Sequence, residues 1–211
     1  MIRVEEKSSL LDEFSGQVQR HFPASVWRSL FEDGTGHAQF GTAARTIVAI
    51  ECEQAGPTTR TSLVAAVNQA ARVHGGRIDP CAGEFILVSC PTTSGALGIA
   101  LAVQRTARTR LRMGIVTGRC TVARAHVDGQ DFLVLLGKER ARAEKLAGAA
   151  PAGTVQIDPD AFVAAGGYID EALGSCVVIA EYDGDVLRDV TLTVPPDSSA
   201  EFSTFAGLGL T

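Results

Sequence analysis

The sequence predicts an α+β fold, an α/β sandwich in which helices cover a mixed sheet. Two observations carry that prediction. RTIVAIEC (45–52), FILVSC (85–90) and DFLVLLG (131–137) are nearly continuous apolar runs, the pattern of strands buried on both faces. Between and after them, SLVAAVNQAARVH (62–74), GALGIALAVQRTARTR (95–110) and KERARAEKLAGAA (138–150) have helical length and spacing. The alternation reads βαββαβ, then further βαβ-type units.

Each element can be justified in chain order. SSLLDEFSGQVQR (8–20) reads as a helix capped by Ser8 or Ser9, with Leu10, Leu11, Phe14 and Val18 along one stripe. Pro23 opens a second helix, whose apolar face is Val26, Trp27, Leu30 and Phe31. DGTGHAQFGTAA (33–44) is polar and glycine-bearing, and reads as a linker. After the strand at 45–52, GPTT reads as a turn, and Gly75-Gly76 ends the helix at 62–74. GGRIDPCAGEFILVSC (75–90) reads as a strand, a tight turn and an apolar strand, with Glu84 just past the turn. LRMGIVTGRCTVARAHV (111–127) is strand material, DGQ a turn, PAGTVQI (151–157) a short strand, and DPDAFVAAG (158–166) a capped short helix. SCVVIAEYDGDVLRDVTLTV reads as a hairpin turning at Asp183-Gly184, and SSAEFSTFAGLGLT as a frayed tail. The expected organisation is an N-terminal helical segment and linker (1–44), a main domain (45–195) and a C-terminal tail (196–211).

Composition narrows the function classes. Of 211 residues, 45% are apolar and 20% charged, as in globular proteins. The net charge of −5, with no basic block, gives no nucleic-acid footprint. No apolar run reaches the roughly 18 residues of a membrane span. MIRVEEKSSLLDEF is acidic and lacks a signal-peptide core, so a cytoplasmic protein is expected. The five cysteines form no C-x-x-C pair and suggest neither a zinc site nor a disulfide framework. His21, His37, His74 and His126 are scattered, with no acid partner evident, and His74 reads as a helix cap.

Several segments fall into a familiar order: P-x-x-V-W-R-S-L; R-T-I-V-A-I-E-C; V-H-G-G-R-I before a hairpin with G-E; L-R-M-G-I-V-T-G; D-F-L-V-L-L-G; and R-A-E-K-L-A-G-A-A-P-A-G-T-V-Q-I. From about residue 20 to 160, the chain resembles the catalytic domain of class III nucleotidyl (adenylate/guanylate) cyclases. The resemblance implies a ferredoxin-like core with a mixed sheet, and a head-to-tail homodimer with sites completed at the subunit interface. It also implies two metal-binding Asp side chains, a Lys and an Asp or Thr that read the purine, and an Asn and an Arg at the ribose and transition state.

Matched position by position, the family's metal acids fall on Glu51 and Glu84. Both are Glu rather than Asp, one methylene longer, and Mg²⁺ tolerates little deviation from octahedral geometry. They read either as solvated, ion-paired acids or as residual ligands for Mg or Mn, with no ion expected to bind tightly. The phosphate loop here is Glu53-Gln54-Ala55-Gly56-Pro57, with Gly56 and Thr58-Thr59 as the remaining candidates for a backbone nest. The purine-reading positions fall on Pro80 and Val134, neither of which offers a side-chain hydrogen bond. The Asn falls on Ala141, and the transition-state Arg on Lys145, which keeps charge but loses the planar fork. Lys138, Arg140, Arg142 and Lys145 otherwise read as a solvated helix surface. The expectation is a degenerate cyclase-like homodimer with a nucleotide, other ligand or protein partner and little or no cyclase activity; the alternative is an active, divergent cyclase.

Overall fold

The computed structural model describes residues 24–33, 37–51, 57–79, 84–107, 110–127, 129–166, 177–183 and 186–193. The expected helix at 8–20 and the tail at 196–211 lie outside them. In chain order the elements are α1 (Ala24–Phe31), β1 (His37–Glu51), α2 (Pro57–His74), β2 (Arg77–Asp79) and β3 (Phe85–Cys90). They continue with α3 (Thr93–Thr106), β4 (Met113–Val127), β5 (Gln130–Leu136) and α4 (Lys138–Ala149). The last are β6 (Thr154–Ile157), α5 (Pro159–Ala164), β7 (Val177–Asp183) and β8 (Val186–Thr193).

The strands form one mixed sheet in the order β2-β3-β1-β4-β6-β8-β7, with β5 also paired to β4. Among the described residues only the β4–β6 pairing is parallel. The axis of the sheet is β1 against β4, in unbroken antiparallel register from His37↔His126 to Ile50↔Met113.

Two local readings change. Residues 37–44 are the first half of β1 rather than a linker, so the expected boundary at 44/45 falls inside a strand. The polar composition is outweighed because β4 supplies a complete ladder of backbone partners from Arg119 to His126. Of the expected turn GPTT, Pro57, Thr58 and Thr59 begin α2, with Pro57 at its first position, where a missing N–H costs nothing.

Helices lie on both faces. Val48, Ile50, Val88, Met113 and Ile115 are buried beneath α2, α3 and α5, through Val67, Ile99 and Phe162 among others. On the other face Ile47, Ala49, Leu87, Val116 and Leu135 are buried beneath Ala143, Leu146 and Ala147 of α4. Of the three helices predicted at 62–74, 95–110 and 138–150, the first two cover one face and the third the other. Gly114 allows it: a Cβ there would stand 2.6 Å from the Ala147 nitrogen, so only glycine lets α4 settle onto β4. The N-terminal helix folds back on its own sheet, where Val26 packs with Ala123, Ala125, Val127, Val134 and Leu136.

Polar groups inside this framework are shared. The hydroxyls of Thr46, Thr93 and Thr117 stand 2.9–3.2 Å apart in a triangle joining β1, α3 and β4. Asp158 is fully buried and caps α5, accepting from the Ala161 N–H at 2.7 Å and the Thr117 N–H at 3.4 Å. Its Oδ2 lies 3.2 Å from Arg142 Nη1 but has no aligned hydrogen bond, so that contact acts through charge.

Burial pushes the Asp158 carboxyl above the usual carboxylate range, against the pull of the Ala161 N–H and of Arg142. The folded chain therefore holds this proton more tightly than the unfolded chain. The stabilisation from this group is fully present below the ordinary value and is lost as pH rises through the folded one. Asp158→Asn keeps a cap acceptor and removes the titration. In urea melts, its stability relative to the parent chain should improve from about pH 4 to about pH 7. Parallel pH profiles for the two proteins would contradict this.

Candidate functional site

The apolar run of β1 ends at Glu51, where the strand leaves the core. Because Ile50 pairs with Met113, the next rung sets Glu51 beside Arg112, whose carbonyl accepts the Glu51 N–H at 3.0 Å. The Arg112 Nη1 stands 3.5 Å from the Glu51 Oε2, and the Glu51 side chain is only 17% exposed. Across the sheet Glu51 is in register with Phe85, and Glu84, exposed, immediately precedes it.

This donor set does not fit a tightly held pair of divalent ions. Two ions about 3.5–4 Å apart need carboxylates shared between them. Here one of the two carboxylates already carries a guanidinium, and among the described residues no cluster of three or more His, Cys, Asp or Glu side chains is placed to hold a metal.

The other family positions are dispersed. Val134, expected at a base-reading position, is fully buried in the cluster with Val26 and Ala123. Ala141 and Lys145 are exposed on α4, and Thr58 lies in the first turn of α2. Gly56, Glu53 and Pro80 lie outside the described residues.

The expected solvated face of α4 needs correction at Arg140. It shares the inward face with Ala143 and Ala147, and is 7% exposed. Its partner is Asp79 at the end of β2, 3% exposed. The Asp79 Oδ2 accepts from the Leu135 N–H at 2.9 Å and stands 3.5 Å from Arg140 Nη1. The same Nη1 donates to the Leu135 carbonyl at 3.1 Å, and Arg140 Nε to Glu144 Oε1 at 3.0 Å. The pair thus satisfies both backbone groups of Leu135, on the side of β5 away from β4. In the sequence Asp79 stands in the mostly charged segment R-I-D, which gives no sign that its carboxylate is buried.

A second pairing was also missed. His126 and Asp131 are cross-strand partners around the turn at Gly129, with Nδ1 and Oδ1 2.8 Å apart. The hydrogen bond from His126 holds the Asp131 carboxyl below its ordinary value, helped by the charges of His126 and Arg77. His74, read as a cap, ends α2 and packs its ring over Gly98, where a Cβ would stand 2.5 Å from Nδ1.

No family model matches the chain, and no curated protein matches it by sequence. Solved structures do. The adenylyl cyclase CyaB from P. aeruginosa superposes with a TM-score of 0.54 at 17% identity, over 78% of this chain and 99% of that one. This is the nucleotidyl cyclase fold. The guanylate cyclase domain of RhGC from Catenaria anguillulae, solved with GTP, gives 0.54 at 14% identity, over 74% and 100%. A non-canonical dimeric guanylyl cyclase domain of the RhoGC fusion protein from Blastocladiella emersonii gives 0.55 at 13% identity, over 73% and 98%. The mixed sheet with helices on it agrees with the cyclase-like architecture that the motifs implied.

Removing Asp79 leaves the buried Arg140 guanidinium with Glu144 as its remaining counter-ion and the Leu135 N–H without an acceptor. Asp79→Ala is expected to cost about 3–5 kcal/mol of unfolding free energy. The double variant Asp79→Ala/Arg140→Leu should cost less than Asp79→Ala alone, because no buried guanidinium is left with half of its carboxylate partners. Equal losses in chemical denaturation would show that the charge is not the issue.

Proposed function

We propose that this chain is a degenerate member of the cyclase-fold group, a cytoplasmic homodimeric signalling or regulatory module with little or no cyclase activity. One observation carries the reading: the carboxylate at the first metal position is ion-paired to Arg112 at 3.5 Å. The positions for base and transition state support it. Val134 is core, Ala141 has no amide, and Lys145 lacks the bidentate fork. Losing a single electrostatic transition-state contact typically costs ~10²–10³ in rate, and several are altered here. The nucleotides in the similar structures make a nucleotide the first candidate ligand, and the dimeric cyclase domain makes a second copy the first candidate partner. No helix among the described residues is long and apolar enough to cross a membrane.

The second reading, an active divergent cyclase using Mn or Mg, rests on Glu51 being in register with Phe85, the residue next to Glu84. The full chain incubated with Mg²⁺ or Mn²⁺ and each of ATP, GTP, CTP and UTP separates the two. The expected result is no cyclic product; product that disappears in Glu51→Ala would establish the second reading.

The homodimer is tested apart from activity. Light scattering at micromolar concentration should report twice the mass of one chain. A single-chain mass unchanged across concentration would reject it, along with any active site shared between copies.

A further inference from the structure

The first half of β1, the second half of β4 and β5 lie side by side, and their register stacks polar side chains in rows on the α4 face of the sheet. His37 pairs with His126, which pairs with Asp131; Gln39 pairs with Arg124, which pairs with Leu133. Arg77, from the start of β2, reaches the same place. Together they line an open groove of about 360 Å³. An adjoining hollow of about 200 Å³ shares Gln39 and Arg124 and adds Arg45. These residues are far apart in the sequence and form no basic block, so only the fold assembles them.

The charge of the groove is opposite to that of the chain. Arg77 and Arg124 are exposed and take part in no ion pair among the described residues. The acid in the lining, Asp131, is engaged by His126 at 2.8 Å. The lining is therefore net positive even with both histidines neutral, on a chain whose net charge is −5. Leu133, which pairs with Arg124 and shares its face, gives it an apolar side.

Planar guanidinium forks match phosphate oxygens, and a few hundred Å³ suits a small molecule. A nucleic-acid strand is disfavoured by the small volume and by Asp131 in the lining. We propose that this groove binds a phosphorylated small molecule, with its phosphate between Arg77 and Arg124 and its apolar part against Leu133. None of Glu51, Glu84, Ala141 and Lys145 lines the groove, so the inference does not depend on the functional reading above.

The test titrates the full chain with inorganic phosphate and with phenyl phosphate by calorimetry. Saturable binding is expected, tighter for phenyl phosphate. Arg124→Gln and Arg77→Gln should each weaken it at least about tenfold. Arg119→Gln, at an exposed position on the opposite face of β4, should leave it unchanged. If Arg124→Gln proves unstable, Arg124→Lys, which keeps charge and loses the fork, should still bind more weakly than the parent chain. No saturable binding, or equal weakening by Arg119→Gln, would overturn the proposal. The cyclic-product assay with Glu51→Ala does not bear on this outcome.

Discussion

The antiparallel pairing of β1 with β4 is the constraint on which the other features depend. It runs without a bulge from His37↔His126 to Ile50↔Met113. Side chains alternate along a strand, so a slip of one residue would send Ile47 and Ala49 to the face of α2 and α3, and Val48 and Ile50 to that of α4. Both faces are buried, but against different helices, and Gly114 would then no longer lie under the backbone of α4. The same register sets Glu51 beside Arg112 at one end and His37 beside His126 at the other. These partners are far apart in sequence, and such contacts form late and slowly in folding because loop closure precedes the reward.

Within that frame the fold resolves its buried polar groups in two ways. The three threonine hydroxyls at Thr46, Thr93 and Thr117 satisfy one another and cost little to bury. Asp79 with Arg140 and Asp158 with Arg142 are charged and costlier. Desolvation of such a pair rivals its Coulomb attraction, so the hydrogen bonds around it decide the balance. Asp79 and Arg140 have them, through Leu135 and Glu144. Asp158 has the N–H groups of Ala161 and Thr117 on one oxygen, while its other oxygen has only the charge of Arg142.

The architecture was readable because its strongest signals are local. Near-continuous apolar runs gave β1, β3 and β5, and helical spacing gave α2, α3 and α4, with ends displaced by a few residues. The first half of β1 was not readable, since nothing in DGTGHAQFGTAA reveals that a distant strand completes its ladder. Arg140 was read as solvated because helical spacing tells which residues share a face but not which face turns inward. The His126–Asp131 pair was within reach, since the DGQ turn already implied that the two face each other. The positions of Glu51, Val134 and Lys145 came from motif order alone. What sits on them, Arg112 at 3.5 Å and the cover supplied by Val26, required the third dimension.

Strand edges are hazards because unpaired N–H and C=O groups invite another chain to add itself. Among the described residues β5 pairs with β4 along one side only. Midway along its other side, Leu135 has its N–H taken by Asp79 and its carbonyl by Arg140. Side chains thus occupy the positions that an incoming strand would need there. The charge pair is therefore also a guard against association: a neighbouring chain seeking to extend the sheet at this point meets a buried carboxylate and guanidinium instead of an open rung.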